Sequence, residues 1–404
     1  MPNKTKIQQL ISILPRLFNC FVLCYWFRLF KSRSNARVKD DIKKILIVRL
    51  DAIGDFIIWL DVAKELRRVF PPNEYEITLL GNQQWTDLAK TCTYFDEVLT
   101  IERLSFFTSY QNNFELFEKL CSVKFDIVLH PVYSREFLFG DLFVFACNAK
   151  QKIGMQGDGS NLSWWQKKLG DCCYTDLVPI SSEHVGELEH NALLLRWLGV
   201  TDFKAGVPEL IGQFEKSLLQ LPKNYYVVIP GASVSIRMWP ISRFIELVEK
   251  AHALIGMTAV VCGGRAEENL GEAITMGTSV PIVNLTGQTS LPELSAVISE
   301  ARFVIANETG AVHIATALDI PSICIEGGGH FGRFVPYSTE IVTKKQLPVP
   351  VFQLMECYGC DWECIHSIPF GEAAPCIEIV SLESVLSAVM ALVDKQNYGR
   401  IAVK

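Results

Sequence analysis

Three short segments place polar residues in the turn between an apolar run and a helical pattern, a position that suits an anion. They are residues 49–55, 230–240 and 307–313. A glycine in such a turn lets the backbone approach a ligand, and the helix N-terminus offers free N–H groups and a positive dipole end. Capping or an exposed loop explains each segment alone, but three in one chain favour binding of a phosphorylated ligand. The first turn lacks the Gly-x-Gly-x-x-Gly pattern, which disfavours an ordinary dinucleotide site.

The side chains in these turns suit different parts of such a ligand. Ser233 and Arg237 offer a hydroxyl and a fixed charge to a diphosphate. Asp55 falls in the first turn of a helical pattern, where plain N-terminal capping is the alternative to a chemical role. His313 stands at the start of another helical pattern, where a lone histidine is usually structural. Glu267 follows a further apolar run, at a position where an acid often holds ribose.

Apolar runs alternate with helical patterns throughout the chain after residue 43, and this alternation indicates βαβ units and parallel sheets. One series opens with a predicted strand at 44–50 and a helix at 55–70, and a second opens with a strand at 225–229. A Gly- and Pro-containing linker at 206–224 separates the two series. The other predicted strands are 76–80, 125–130, 258–262, 303–306 and 322–325, and the other predicted helices lie at about 241–254, 267–276 and 313–318.

These patterns predict an α/β protein of two doubly wound domains with the ligand in the cleft between them. We place the N-terminal domain at 44–215 and the C-terminal domain, with a cysteine cluster and a terminal helix, at 216–404. Hydrophobic residues make up 49% of the 404 residues, which excludes an intrinsically disordered chain.

A basic leader at residues 1–43 precedes this acidic body. Residues 1–44 carry a net charge of +8 within a chain of net charge −6, a distribution unlike that of a nucleic-acid-binding protein. The longest uncharged run of the leader is eleven residues, at 17–27, whereas a spanning helix needs about 20. We predict a helix lying in a membrane interface; packing on the body and a spanning anchor are the alternatives.

Four of the thirteen cysteines cluster near the C-terminus, at Cys357, Cys360, Cys364 and Cys376. The Cys-x2-Cys spacing occurs in four-thiolate zinc sites, but the second pair lacks it. Structural zinc, a disulfide and free packed thiols are the three interpretations, and free thiols are the default for a long chain in a reducing compartment.

Three features together resemble glycosyltransferase family 9. They are the Gly54-Asp55 pair, the Pro-Gly-Ala turn with its following basic residue and Trp239-Pro240, and the Thr309-Gly310-x-x-His313 segment. This family comprises the bacterial heptosyltransferases of lipopolysaccharide core assembly. The resemblance extends over about residues 44 to 393.

The resemblance implies a GT-B fold, in which two doubly wound Rossmann-like domains face each other across a cleft. It implies an inverting transfer that needs no metal or other cofactor. A nucleotide-sugar would bind the C-terminal domain, and a lipid-linked glycan acceptor would lie on the N-terminal side.

Family positions carry over to individual residues as follows. Asp55 falls on the proposed catalytic base, with Gly54 and Asp51 beside the acceptor; small hydroxyl residues are common at the position of Asp51. The donor-binding positions are Ser233 and Arg237 for the diphosphate, Glu267 for the ribose or nucleoside, and Glu308, Thr309, Gly310 and His313 for the donor-binding turn. Glu308 stands where the family usually has aspartate, which bears on the choice of donor sugar.

We therefore predict a monomeric enzyme that transfers heptose from an ADP-sugar to a lipopolysaccharide-core-type acceptor, with no nucleic-acid partner. It would work in the cytoplasm, on the inner face of the bacterial inner membrane. Three alternatives remain: the same chemistry with a hexose or N-acetylhexosamine donor, a non-catalytic nucleotide-sugar-binding protein, and an epimerase of similar fold.

Deletion of residues 1–38 tests the leader. The truncated protein should keep its fold but lose binding to anionic vesicles, because it loses both the apolar run and most of the basic cluster. Co-sedimentation with such vesicles measures this, and binding by the full chain should weaken as salt screens the basic residues. If the full-length chain does not bind these vesicles at low salt, the leader is only a helix that packs on the body of the protein.

Overall fold

The computed structural model describes residues 42–103, 106, 110–180, 186–210, 220–338, 341, 343 and 345–401. The predicted interfacial helix of the leader and the predicted domain boundary at 215/216 lie outside these residues. Within the described part of the chain, no helix has both the length and the apolar character needed to cross a membrane. The chain divides into two compact units; the first ends at Ala205, and the second takes up the chain from Gly206 together with residues 186–188.

The first unit is built around a six-stranded parallel sheet of order β3-β2-β1-β4-β5-β6. Its strands are β1 (Lys43–Arg49), β2 (Tyr75–Asn82), β3 (Glu97–Ile101), β4 (Phe125–His130), β5 (Ala149–Met155) and β6 (Asp176–Val178). The α-helices between and after them are α1 (Ile53–Val69), α2 (Gln83–Ala89), α3 (Tyr110–Ser122), α4 (Leu142–Ala146), α5 (Trp164–Asp171) and α6 (Glu187–Trp197).

The second unit contains another six-stranded parallel sheet, of order β12-β11-β10-β7-β8-β9. Its strands are β7 (Tyr225–Ile229), β8 (Thr258–Val261), β9 (Ile282–Asn284), β10 (Val304–Asn307), β11 (Ser322–Ile325) and β12 (Val349–Val351). Its α-helices are α7 (Ile241–Ile255), α8 (Glu268–Gly277), α9 (Leu291–Glu300), α10 (Gly310–Ala317), α11 (Pro375–Glu378) and α12 (Leu382–Ile401).

Both sheets have the same strand order, and this confirms the predicted pair of doubly wound α/β units. Counted within its own unit, each sheet follows the order 3-2-1-4-5-6 of a Rossmann fold, which reverses direction between its first and fourth strands. Ligands of such sheets bind at the carboxyl ends of the strands that flank the reversal. In this chain those strands are β1 with β4, and β7 with β10.

The central strands are apolar runs because helices cover both faces of each parallel sheet. In β1, all residues from Ile45 to Arg49 are buried, and so is every residue of β7. In the second unit, the helix α7 buries Phe244 and Leu247 against this sheet. The largest difference from a predicted boundary is at α10: the helix expected from residue 313 begins at Gly310, because the segment 310–312 continues the helical backbone after the extended Thr309. The other predicted strand and helix boundaries lie within two residues of the observed ones.

Candidate active site

In the first unit, the turn after β1 is fixed by the buried guanidinium of Arg49. Its Nε and Nη2 contact the two carboxylate oxygens of Asp51 at 3.2 and 2.9 Å. Its Nη2 also donates to the backbone carbonyl of Asp55 at 3.0 Å, and its Nη1 donates to that of Pro131, just after β4, at 2.8 Å. A residue at the end of β1 thus ties the turn to the neighbouring strand across the point where the strand order reverses.

Residues after β2 hold the same turn from the other side. The Asn82 amide donates to the carbonyls of Leu50 and Asp51 at 3.3 Å each, while its oxygen caps α2 by accepting from Gln84 N–H. The indole N–H of Trp85 donates to the Asp51 carbonyl at 3.0 Å. The backbone of the turn is therefore held from three directions, which suits a group that must be preorganised.

This arrangement separates the roles of the two predicted acids. Asp55 lies half-buried in the first turn of α1, as predicted, beside the half-buried Gly54. The N-cap residue of α1 is Ala52, so Asp55 is not the N-cap residue. Asp51 has both carboxylate oxygens against Arg49, and this places it in the support of the turn.

In the second unit, a buried asparagine joins the two strands that flank the reversal. Asn307, at the end of β10, donates its amide hydrogens to the carbonyls of Pro230 at 2.7 Å and Gly231 at 3.2 Å. Its amide oxygen accepts from the Trp239 backbone N–H at 3.0 Å. One side chain therefore fixes both ends of the turn that follows β7, the turn in which Arg237 lies.

The predicted diphosphate ligand Arg237 forms a largely buried ion pair. Its Nη2 donates to the carboxylate of Glu308 at 3.0 Å and to the Glu308 backbone carbonyl at 3.1 Å. Its Nη1 lies 3.4 Å from the hydroxyl oxygen of Ser233, so three residues predicted as donor contacts meet in the structure. Because most of the guanidinium is withdrawn from water, its charge acts in a medium of low dielectric constant.

The predicted ribose contact, Glu267, closes the neighbouring turn. Its carboxylate accepts from the Gly264 backbone N–H and packs against Gly231 and Gly263. A Cβ at Gly231 would overlap the carboxylate, so a larger residue here would require Glu267 to move. Burial raises the pKa of Glu267 above its ordinary value, and the hydrogen bond from Gly264 opposes this.

The third predicted turn divides into an accessible part and a buried part. Thr309 is the N-cap residue of α10, Gly310 is its first residue, and the Thr309 hydroxyl is buried without a hydrogen-bond partner among the described residues. His313 is buried, and its Nδ1 lies 2.8 Å from the Tyr337 hydroxyl. Burial, assisted by the Arg237 charge, lowers the pKa of His313 to about 3, so its imidazole is neutral at pH 7. These contacts give His313 a structural role; a role in donor binding stays a prediction.

Four residues around Arg237 were not predicted from the sequence. Glu326, directly after β11, is fully buried, and neither carboxylate oxygen has a hydrogen-bond partner in the described structure. His330 pairs with Asp361 at 2.8 Å, and the Trp362 ring lies 5.2 Å from the Arg237 guanidinium carbon. An acid directly after a predicted strand, at the same position as Glu308 after β10, was the available signal for Glu326.

The first unit contains a buried polar network of its own, which was not predicted from the sequence. The Tyr174 hydroxyl lies 2.6 Å from Nδ1 of His130, at the end of β4, and donates to Asp141 at 2.5 Å. Arg135 bonds Asp171 and stacks over the Tyr174 ring. Burial, assisted by the Arg135 and Arg49 charges, lowers the pKa of His130 to about 3. A neutral histidine and its partners thus support the carboxyl end of β4.

The cysteine cluster is reduced in the structure. Cys357, Cys360, Cys364 and Cys376 are all free thiols. Across the described residues, no group of three or more His, Cys, Asp or Glu side chains is arranged to hold a metal ion. The choice between structural zinc, a disulfide and free thiols stays a prediction.

Glu326 should make the free energy of unfolding depend on pH. Burial, reinforced by the Glu308 charge and opposed by Arg237, raises the pKa of Glu326 to about 10. Between the unfolded pKa near 4.5 and this value, the folded state holds a proton that the unfolded state releases. The contribution of Glu326 is therefore complete below pH 4.5 and is lost as pH rises, by up to about 1.4 kcal/mol per pH unit.

Glu326→Gln keeps the shape and removes this titration. Thermal unfolding from pH 5 to 9 should show the melting temperature of the variant rising above that of the wild type progressively as pH increases. Glu378→Gln, at an exposed acid on α11, is the control and should leave the pH profile unchanged. Parallel profiles for wild type and Glu326→Gln would mean that Glu326 is ionised in the folded protein.

Comparison with known proteins agrees with this geometry. The family model for glycosyltransferase family 9 (heptosyltransferase) matches residues 196–348. The chain is 23% identical over 301 residues to lipopolysaccharide heptosyltransferase 3 of Escherichia coli, covering 72% of this chain and 85% of that protein.

Two solved structures share the fold. The glycosyl transferase family 9 protein from Veillonella parvula gives a TM-score of 0.69 at 17% identity, over 89% of this chain and all of that one. The E. coli heptosyltransferase WaaC with ADP gives 0.64 at 16% identity, over 86% and 99%. The fold is GT-B. With both sheets and the family turns in place, the comparisons identify the chain as a glycosyltransferase similar to the heptosyltransferases of glycosyltransferase family 9.

Proposed function

We propose that this enzyme transfers a heptose from an ADP-sugar to a lipopolysaccharide-core-type acceptor, with inversion at the sugar carbon and without a metal ion. The observation that carries the proposal is the Arg237 turn at the carboxyl ends of β7 and β10, with its guanidinium held by Glu308. The names of the similar proteins supply the sugar and the nucleotide, since one is a lipopolysaccharide heptosyltransferase and another was solved with ADP.

The second unit would hold the donor. Arg237 and the Ser233 hydroxyl would bind diphosphate oxygens, and the N–H groups at the start of α10 would add the positive end of the helix dipole. Glu267 would bind the ribose at the end of β8. As the bond between the sugar carbon and the diphosphate breaks, negative charge grows on the leaving oxygen, and Arg237 would stabilise it without reorganisation.

The first unit would activate the acceptor. The acceptor hydroxyl oxygen forms a bond to the sugar carbon while its proton passes to the Asp55 carboxylate, and the nucleoside diphosphate leaves from the opposite face. Asp55 suits this role because Arg49 holds its backbone and the start of α1 favours a negative charge. Asp51, engaged by Arg49, would support the turn instead.

The leader is proposed to hold a monomeric enzyme on the inner face of the inner membrane, where a lipid-linked acceptor would be anchored. Capture at a surface raises the effective concentration of such an acceptor. The vesicle experiment on the 1–38 deletion tests this part independently of the chemistry.

Arg237→Ala tests the donor site. Isothermal titration with ADP, UDP and GDP should identify ADP as the ligand of the wild type. The variant should bind it about 10- to 150-fold more weakly, the loss of roughly 1.5–3 kcal/mol expected for a charge-assisted hydrogen bond. Arg68→Ala, at an exposed surface pair with Glu65, is the control and should bind as the wild type does. Unchanged ADP affinity in Arg237→Ala would contradict the placement of the diphosphate.

Asp55→Asn tests the base. The amide keeps the shape but cannot accept the proton, so turnover should fall by about 10² to 10⁴ with donor affinity nearly unchanged. Asp51→Asn is the matched variant and should cost much less, because Asp51 supports the turn. Turnover of an acceptor glycan and ADP titration measure the two quantities. If Asp51→Asn lost more turnover than Asp55→Asn, the base would be Asp51. If both variants kept full turnover, general-base catalysis by this turn would be refuted.

A further inference from the structure

The segment that carries Cys357, Cys360 and Cys364 packs directly on the glycine run 327–329, which follows β11 and Glu326. The Gly359 N–H donates to the Gly328 carbonyl at 2.7 Å, and the Asp361 N–H donates to the Gly329 carbonyl at 3.0 Å. Backbone therefore pairs with backbone over this stretch, and the segment is held in register beside Arg237.

Glycine is required in this run because aromatic rings occupy the space of the missing side chains. A Cβ at Gly328 would lie 2.5 Å from the Tyr358 ring, and one at Gly327 would lie 2.8 Å from the Trp362 ring. A Cβ at Gly329 would overlap the Trp362 ring outright. Gly327 and Gly329 thus leave room for the Trp362 ring, and Gly328 leaves room for the Tyr358 ring.

Two consecutive residues of this segment adopt the left-handed conformation that favours glycine. Asp361 has φ of 51° and Trp362 has φ of 61°. Such a backbone costs of order 1–3 kcal/mol per residue and persists only where the surroundings impose it, most often at functional sites. For a side chain as large as tryptophan it is a clear outlier.

The strained pair directs both side chains towards the proposed diphosphate site. The Trp362 ring lies over the Arg237 guanidinium, 5.2 Å from ring centroid to Cζ, within the range of a cation–π interaction. Asp361 binds Nε2 of His330 at 2.8 Å, and the His330 ring meets the Trp362 ring edge-on at 6.2 Å.

Several buried polar atoms around this contact have no hydrogen-bond partner among the described residues. They are Nε of Arg237, Nε1 of Trp362, Nδ1 of His330 and the Thr309 hydroxyl. Buried polar atoms in folded proteins are usually paired, so a group of unpaired ones beside a cation indicates a site that a polar ligand completes.

We propose that Trp362 is a positioning residue of the donor site, whose indole face fixes the plane of the Arg237 guanidinium for the diphosphate. The proposal rests on the proposed function, in which Arg237 binds the diphosphate. Glu308 holds one edge of the guanidinium and Trp362 covers a face, so the remaining donors have one direction in which to point. Without the indole, the side chain would regain rotational freedom, and binding would have to restrict it again.

Titration of the full chain with ADP and AMP tests this, because only the diphosphate presents the β-phosphate to Arg237. Trp362→Leu should weaken ADP binding by about 2- to 30-fold, the range of a cation–π contact, and leave AMP binding unchanged. Trp362→Phe keeps an aromatic face and should bind ADP within about threefold of the wild type. Tyr358→Phe is the control in the same segment; it loses a hydrogen bond to the Gln353 carbonyl but has no aromatic face over Arg237 to lose.

Combination with Arg237→Ala separates positioning from mere packing. If Trp362 acts through Arg237, adding Trp362→Leu to Arg237→Ala should cause no further loss of ADP affinity. Gly329→Ala offers a second route, since its Cβ displaces the ring; it should imitate Trp362→Leu, whereas Gly159→Ala, with open space around it, should not.

The outcomes distinguish this inference from the function on which it rests. A wild type that binds none of ADP, UDP and GDP overturns the proposed function and this inference with it. If the wild type binds ADP and Arg237→Ala weakens it, but Trp362→Leu changes nothing or weakens ADP and AMP equally, only the positioning role fails. Additive losses in the double variant also overturn that role.

Discussion

Compensation of the buried Arg237 charge is the constraint on which the second unit depends. A guanidinium withdrawn from water is costly unless a partner offsets its charge, and Glu308 supplies that partner at 3.0 Å. One carboxylate balances one cation, so a second ionised acid in the same volume would be uncompensated. Glu326 therefore keeps its proton, and burial with the Glu308 charge raises its pKa to about 10. Burial is the main cause of the lowered pKa of His313 as well, and the charge of Arg237 adds to it.

The buried arginine of the first unit has a different set of partners. Arg49 is also buried at the end of a central strand, but its acid partner Asp51 lies in the same turn. Its remaining hydrogen bonds go to the backbone carbonyls of Asp55 and Pro131 and to the side-chain oxygen of Asn191. All the guanidinium nitrogens of Arg49 are thus engaged in holding the turn, whereas Nε of Arg237 has no hydrogen-bond partner among the described residues. The same residue type is fully paired in one sheet and keeps a free donor in the other, because different numbers of acceptors surround it.

The glycine run after β11 lets a segment with a strained backbone contact Arg237. Rings of the cysteine-containing segment fill the space above the glycines and bring Trp362 over Arg237 at the cost of two left-handed residues. Strain of this kind is maintained by the packing around it. A contact with Arg237 is thereby built from a segment more than a hundred residues away along the chain, and the fold supplies the rigidity that a loop alone lacks.

The sequence by itself predicted the fold class, seven of the strands and most of the candidate residues. Apolar runs and helical periodicity are local properties, so the strands at 125–130, 225–229 and 322–325 matched the structure residue for residue. Ser233 and Arg237 were found because their types suit an anion at a strand end, whereas Glu308 came from the family resemblance. The start of α10 was misplaced by three residues, since a short Gly-Ala-Val stretch has no helical signal of its own.

Only the tertiary structure decided which of these residues act together. Arg237 and Glu308 are 71 residues apart, and the parallel pairing of β7 with β10 brings them into contact. Pairing of β1 with β4 likewise gives Arg49 the Pro131 carbonyl. The protonation of Glu326 and the place of Trp362 depend on neighbours distant in sequence. Burial and electrostatic energy are sums over spatial neighbours, so no local pattern in the chain could reveal them.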